Sequence, residues 1–205
     1  MAKAVYVGVD SKARKMKKAY IGIGGTARKI KKMYIGDSSG KARLCYSAEL
    51  EKVGTATALS TTRYDMRAAT VGNYALFAGG FTSKSTFGYS VSSSVDAYNT
   101  SLTKSTPTEL SCKRCGHAAA SVGGYALFAG GASACNMLGY YSGIVGSVDA
   151  YNASLTRSAA HIFGDTVAIG GAAVGNYALF AGGTADAQID SNNVTNSVLA
   201  YDPSL

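Results

Sequence analysis

An all-β repeat architecture is the fold class this sequence predicts, and three observations carry it. One ten-residue phrase recurs, as VGNYALFAGG at 71–80, VGGYALFAGG at 122–131 and VGNYALFAGG at 174–183, with starts 51 and 52 residues apart. A shorter phrase follows each copy: SVDAYN at 94–99 and 147–152, SVLAYD at 197–202. Self-similarity at a fixed period of roughly 20–50 residues is the signature of repeat proteins. The composition agrees. Of 205 residues, 47% are hydrophobic and only 16% charged, with 25 Gly, 14 Tyr, two Pro and no Trp, so short β-rich runs alternate with Gly and Asn punctuation. No amphipathic helix with caps stands out.

Nothing in the chain approaches the run of about 18 apolar residues that reads as a membrane-spanning helix. The N-terminus shows no charged head, apolar core and cleavage site of a secretory signal, so none is expected. The charge is uneven. Residues 1–54 hold 13 of the 20 Lys and Arg and four of the 12 acids, a net +9, and the remainder carries −1. That shift places a domain boundary near 47–54 and assigns any electrostatic partner to the N-terminal piece. The expected domains are 1–50 and 51–205.

The first domain repeats on a shorter period. YVGV at 6–9, YIGI at 20–23 and YIGD at 34–37 start 14 residues apart, each followed by a turn-like group and then a basic stretch. Gly-Gly, Asp-Ser and Ser-Gly between β-rich runs are hairpin signals. The reading is a small basic β-meander with strands near 3–9, 13–23, 27–36 and 41–47. In/out alternation fails at Lys17–Lys18 and Lys31–Lys32, where a bulge or strand break would restore it. So small a sheet has little core and needs a partner. Its candidate docking residues are Lys15, Lys17, Lys18, Arg28, Lys29, Lys31 and Lys32; a solvated face with edge protection is the preferred reading of the same side chains. Nucleic acid is not expected as the partner, because no recognised binding module accompanies the charge.

In the second domain each YALF run is preceded by a small-residue strand (RAAT 67–70, HAAAS 117–121, IGGAA 169–173) and followed, after Gly-Gly, by a loop and then SVDAYN. A turn and fourth strand complete about 51 residues. Four-stranded units of this length build β-propeller blades, here approximately 56–106, 107–159 and 160–205. Because ATALS at 56–60 matches PTELS at 107–111, the array is expected to open on a fourth strand and close on a third. Three blades do not readily close a ring, since propellers have about four to eight. Completion by oligomerisation, each chain lending its first strand to the other, or by a longer chain is expected.

The stretch Arg114-Cys115-Gly116-His117-Ala118-Ala119-Ala120, with Val122-Gly123-Gly124 and Tyr125-Ala126-Leu127-Phe128-Ala129-Gly130-Gly131, resembles a kelch repeat. Tyr98-Asn99, Tyr151-Asn152 and Tyr201-Asp202 fit that family's turn element. The kelch tryptophan is missing in every copy, with Leu102-Thr103 and Leu155-Thr156 nearby instead. The resemblance covers about 55–205 and implies a propeller, not one ligand.

The segments after Gly-Gly (81–93, 132–146, 184–196) differ while the frame repeats, which is how binding proteins place variable chemistry. Their Ser, Gly, Tyr and Asn content suits contact surfaces. Phe81, Phe87, Tyr89, Asn136, Tyr140, Tyr141, Asn192 and Asn193 are the candidate ligand contacts; packing of loop against loop is the competing role. Cys112-x-x-Cys115 with His117, and Cys135 beyond, has the spacing of half a zinc site, but no second pair exists and free buried cysteines are the preferred reading. Asp96 and Asp149 recur inside SVDAYN and read as structural. No nucleophile elbow, phosphate loop or His-Glu metal motif occurs, so neither an enzyme nor a cofactor is expected.

The phrase Lys-Lys-x-Tyr-Ile-Gly followed by Gly-x-Ala-Arg-Lys, over about 1–46, is similar to the opening segment of tail and baseplate-associated proteins in phages and prophages of Gram-positive bacteria. That resemblance implies a non-enzymatic virion protein, made in the bacterial cytoplasm. Its N-terminal module would dock to other tail or baseplate proteins, and its loops would meet a host-surface glycan or protein. A homo-oligomer is expected. An intracellular kelch-type adaptor is the alternative.

Overall fold

Arg114 is 0% exposed, and that a guanidinium can be so deeply buried follows from how the repeated strands are laid out. The structure is a computed structural model, and it describes residues 6–9, 12–15, 18–36, 40–47, 54–160, 164, 166–167, 169–185 and 194–203. The chain divides into two compact units, 1–55 and 56–205. Among the described residues every regular element is a strand, and all pairing is antiparallel.

Among the described residues the first unit shows three two-stranded hairpins rather than one meander: β1 (Tyr6–Val9) with β2 (Lys12–Lys15), β3 (Tyr20–Ile23) with β4 (Thr26–Lys29), and β5 (Lys32–Gly36) with β6 (Ala42–Ser47). The 14-residue period is a register repeat, for Tyr6 faces Lys15 as Tyr20 faces Lys29. The strands expected over 13–23 and 27–36 are each divided. The interruption falls beside the doubled lysines, where alternation of faces fails, and Ile30 N donates to Ala19 O at 2.7 Å across it. Gly24 and Gly25 turn β3 into β4 with φ of +58° and +77°, the left-handed pair a two-residue hairpin turn needs. Tyr20, Ile21, Ile23 and Tyr34 are all at least half exposed.

The second unit stacks three repeated sheets. In the first, β7 (Arg67–Val71), β8 (Tyr74–Ala78), β11 (Val95–Asn99) and β12 (Lys104–Ser105) lie in that order. β9 (Phe81–Ser85) and β10 (Gly88–Val91) stand apart from it. The second sheet repeats the pattern with β13 (Ala118–Val122), β14 (Tyr125–Ala129), β17 (Val148–Asn152) and β18 (Arg157–Ala160). β15 (Ala132–Cys135) and β16 (Tyr141–Ile144) again lie outside it. The third sheet has three described strands, β19 (Gly170–Val174), β20 (Tyr177–Ala181) and β21 (Val198–Tyr201).

The expected fourth strands are misplaced by the sequence reading. PTELS at 107–111 and ATALS at 56–60 are irregular, and the fourth strands are the shorter β12 and β18. Each irregular segment is bonded to the sheet of its own repeat: Tyr98 Oη donates to Thr57 O at 2.7 Å, and Tyr151 Oη to Thr108 O at 2.7 Å. The opening segment therefore stays with the first sheet and is not lent elsewhere.

Small residues let the sheets approach. Ala69, Val71, Leu76, Val95 and Ala97 of the first sheet pack on Leu110, Ala126, Phe128 and Tyr151 of the second repeat. Ala118, Ala120, Val122, Val148 and Ala150 of the second sheet pack in turn on Ile169, Ala178 and Phe180. Each fully buried Val, Leu or Phe contributes about 1.5–3 kcal/mol. Within every sheet the Phe of YALF meets the Tyr of the following phrase edge-on, at centroid separations of 5.9, 6.0 and 5.6 Å.

Arg114 straps the second sheet. Its guanidinium donates to Gly130 O at 3.1 Å, Ser147 O at 2.9 Å and Asp149 Oδ2 at 2.8 Å, while Arg157 takes the other Asp149 oxygen at 2.8 Å. Arg63 does the same for the first sheet, bonded to Gly79 O, Ser94 O and Asp96. In the third repeat the counterparts are Thr166 and Leu199. There a cavity of about 290 Å³, lined by Thr166, Phe180, Gly182, Ser197 and Leu199, occupies the place the arginine fills in the second.

His117 is 0% exposed at the junction of sheets one and two, where burial first and the nearby Arg114 second push its pKa down to about 3. An imidazole neutral when folded and protonated when unfolded loses stability as pH falls below its unfolded value of 6.5. Below that pH, denaturation midpoints of the native chain should drop with a slope of about 1.4 kcal/mol per pH unit from this group, continuing towards pH 3. The His117→Met variant, which installs the residue found at the matching position 66, should lose that increment in a pH series of urea titrations. Arg114→Ala leaves Asp149 buried beside a single cation and should cost about 3–5 kcal/mol, read as a fall in urea midpoint at pH 7.

Candidate binding site

Each Gly-Gly is where a repeated sheet ends and a different structure begins. Gly79, Gly80, Gly130, Gly131, Gly182 and Gly183 all have φ between +66° and +101°. A Cβ at Gly131 would lie 2.7 Å from Cys115 O, and one at Gly183 2.6 Å from Val167 O. The close approach brings the chain leading into each repeat beside the chain leaving its Gly-Gly, with bridges at Tyr64–Phe81, Cys115–Ala132 and Val167–Thr184.

Beyond the first two Gly-Gly pairs, the segments read from sequence as loops are hairpins. β9 and β10 pair through a two-residue turn at Thr86–Phe87, and β15 pairs with β16. The two hairpins join at Tyr89–Cys135, giving one four-stranded sheet in the order β16-β15-β10-β9, built from two successive repeats. Its underside has its own apolar cluster of Phe81, Cys115, Ala132, Cys135 and Val167, with Tyr89, Val91, Tyr141 and Ile144 packed against it. Gly88 permits the junction, since a Cβ there would meet Cys135 O at 2.6 Å.

A groove of about 340 Å³ runs over the junction, lined by Ser85, Phe87, Tyr89, Cys135, Asn136 and Ser142. Phe87 stands at its rim 92% exposed. Tyr89 is held from below by Phe81, centroids 5.0 Å apart, with the Lys84 ammonium 5.8 Å from its ring centroid. Asn136 shapes the neighbouring turn, its Oδ1 accepting from Leu138 N at 2.9 Å and Tyr140 N at 3.0 Å. That turn displays Leu138, 77% exposed, and Tyr140.

The thiols nearby are protonated near neutrality. Burial pushes Cys115 up to about 12 and raises Cys135; burial also raises Tyr141. The cysteines of the half-zinc spacing serve separate structures. Cys112 Sγ lies 3.3 Å from the Arg114 guanidinium, Cys115 donates to Ala132 O at 3.3 Å, and Cys135 lies under the hairpin junction. Among the described residues no three His, Cys, Asp or Glu side chains gather as a metal site.

Of the contacts read from sequence, Phe87, Tyr89, Asn136 and Tyr140 fall on or beside the groove. Phe81, 8% exposed, supports it from beneath, and Tyr141 packs into the same cluster. Asn192 and Asn193 lie outside the described residues. Ser85, Ser142, Met137 and Leu138 were missed; the alternating Phe-Thr-Ser-Lys-Ser run before Thr86–Phe87 was the available hairpin signal. In the first unit, Lys18, Arg28, Lys29, Lys31 and Lys32 are exposed, Lys15 ends β2, and Lys17 lies outside the described residues.

No family model matches the chain, and no curated protein matches it. Among solved structures the chain is similar to one described as "Structure of YjhT", at 13% identity and a TM-score of 0.49; the likeness covers 84% of this chain and 48% of that one. The chain thus spans about half the length of that neighbour.

The division between display and support is testable. Phe87→Ala should leave stability within about 0.5 kcal/mol of the native chain, because the ring contacts solvent. Phe81→Ala should cost about 3–5 kcal/mol, as for other buried phenylalanines. Urea unfolding followed by circular dichroism separates the two.

Proposed function

We propose that the chain is a non-enzymatic binding protein of a phage or prophage tail or baseplate. In this reading the stacked sheets of 56–205 are kelch-like propeller blades, and the joined hairpins face a host-surface ligand. The basic hairpins of the first unit dock to other tail or baseplate proteins, so the working location is the virion, after synthesis in the bacterial cytoplasm.

The observation that carries the reading is the groove across the hairpin junction. Its exposed Phe87 offers an apolar face, with Tyr89 in the lining, and Ser85, Ser142 and Asn136 stand alongside. An apolar platform with a few hydroxyl and amide groups suits a neutral sugar ring, whose faces are apolar and whose edge is hydroxylated. The Lys84 ammonium lies over the Tyr89 ring, 5.8 Å from its centroid. The docking role is supported by exposed Tyr20, Ile21, Ile23 and Tyr34 beside the exposed lysines, a mixture that a protein surface covers better than water does.

Fluorescently labelled 205-residue chain should sediment with purified Gram-positive cell walls. The double variant Phe87→Ala/Tyr140→Ala should lower apparent affinity at least about tenfold, equivalent to about 1.4 kcal/mol. Undiminished wall binding by this variant removes the groove from the proposal. Failure to bind any wall preparation, with a stable soluble complex recovered from lysate instead, favours the adaptor.

A further inference from the structure

The row of stacked sheets ends in two unlike faces, and each is one half of an interface the molecule already buries twice. On the third sheet, Val174 and Val198 are each 60% exposed. Their counterparts Val122 and Val148 on the second sheet are 6% and 1% exposed, and Val71 and Val95 on the first are 3% and 2%, covered in both cases by the next sheet. At the other end the complementary face is less buried than its counterpart in the second repeat. Phe128, Tyr151 and Leu110 are buried against the first sheet, whereas their first-repeat counterparts Phe77, Tyr98 and Leu59 remain half-buried.

The backbone repeats the pattern. Gly80 N donates to Arg114 O at 3.0 Å and Gly131 N to Thr166 O at 2.8 Å, each bond crossing from one repeat to the next. Gly183 N makes no such bond among the described residues. The turn glycines Gly72 and Gly123 sit against Ala153 and Pro203 of the following sheet, while Gly175 has nothing within 4 Å.

We propose that a second copy of this chain covers these faces: the third sheet of each copy packs on the first sheet of the other, closing a ring of six sheets. This rests on the blade reading above. The copy number follows from that reading. The contact joins unlike faces, so a closed ring holds a whole number of copies and a multiple of three sheets. Propellers have about four to eight blades, and six is the only multiple of three in that range. In the pair, Thr100 of the second copy, the counterpart of Ala153 and Pro203, seats on Gly175. The Gly183 N–H donates to the Arg63 carbonyl of that copy. No strand is exchanged, since the opening segment remains on its own sheet. The outward face of the third sheet exposes Val174, Tyr177 and Val198.

Sedimentation equilibrium of the 205-residue chain at about 10 μM, well above the Kd of a stable interface, should give twice the single-chain mass of 21.0 kDa. Val174→Asp/Val198→Asp should return the single-chain mass with an unchanged circular dichroism spectrum, because both residues are solvent-exposed within one chain. As a second readout, mixing Thr100→Cys chains with Asn176→Cys chains and a short bismaleimide should give a two-chain product more abundant than with either variant alone. A single-chain mass at about 100 μM, a species larger than a pair, or a pair indifferent to the aspartates and the cross-linker overturns the proposal. None of these outcomes bears on whether labelled chain sediments with cell walls, so the two readings fail separately.

Discussion

Every repeated sheet in the second unit is apolar on both faces, and this constraint governs the rest of the structure. One face carries the Ala and Val side chains of the first and third strands; the other carries the Phe–Tyr pair. A single such sheet in water would expose both. Stacking satisfies one face of each end sheet and both faces of the middle one, and for that reason the second sheet holds more fully buried side chains than either of its neighbours. Alanine and glycine in β13 and β19 are part of the same solution. Gly171 meets Ala119 O so closely that a Cβ would lie 2.6 Å away, so bulkier first strands would hold the sheets apart.

The arginine straps are a second layer built on that stacking. A buried guanidinium is tolerable only where carbonyls and a carboxylate surround it; the Gly-Gly turn presents Gly130 O, and the residue before β17 presents Ser147 O, beside the recurring aspartate. The third repeat shows that the parts belong together. There Thr166 replaces the arginine and Leu199 the aspartate, so no charge is stranded. Removing both partners of a buried pair is far less costly than removing one. The cavity beside Phe180 and Gly182 is the remaining trace of the exchange.

Much of the framework is readable in the sequence. The phrase repeats located β7, β8, β11 and their later copies because alternation and turn glycines are local signals. The structural role of Asp96 and Asp149 was readable for the same reason: a residue that recurs inside a repeated strand serves the frame. What escaped was set by tertiary context. PTELS has strand-like composition, yet the edge beside β17 is taken by β18, whose Arg157 reaches Asp149, so the segment is held by Tyr151 instead. The hairpins after Gly-Gly were read as loops because pairing of β10 with β15 joins residues 46 positions apart, a contact no local pattern announces. Phe81 looked like a contact because it follows the glycines, but the Tyr64 bridge turns it inward.

The frame also explains why divergence is concentrated in the segments after Gly-Gly. A change within YALFAGG disturbs two stacked faces and a glycine with no room for a side chain, whereas a change at positions 86–87 or 137–140 meets solvent. The joined hairpin sheet is nonetheless no loose appendage, since its underside buries Phe81 and Cys135 and each hairpin starts from a glycine pinned by the following repeat. Recognition chemistry placed there starts from an ordered platform, which lowers the conformational entropy lost on binding. The first unit has no such support. Its two-stranded hairpins leave tyrosine and isoleucine in water, a state marginally stable at best for isolated hairpins. The two units therefore differ in support: the joined hairpins of the second rest on buried side chains, whereas the described hairpins of the first leave tyrosine and isoleucine exposed.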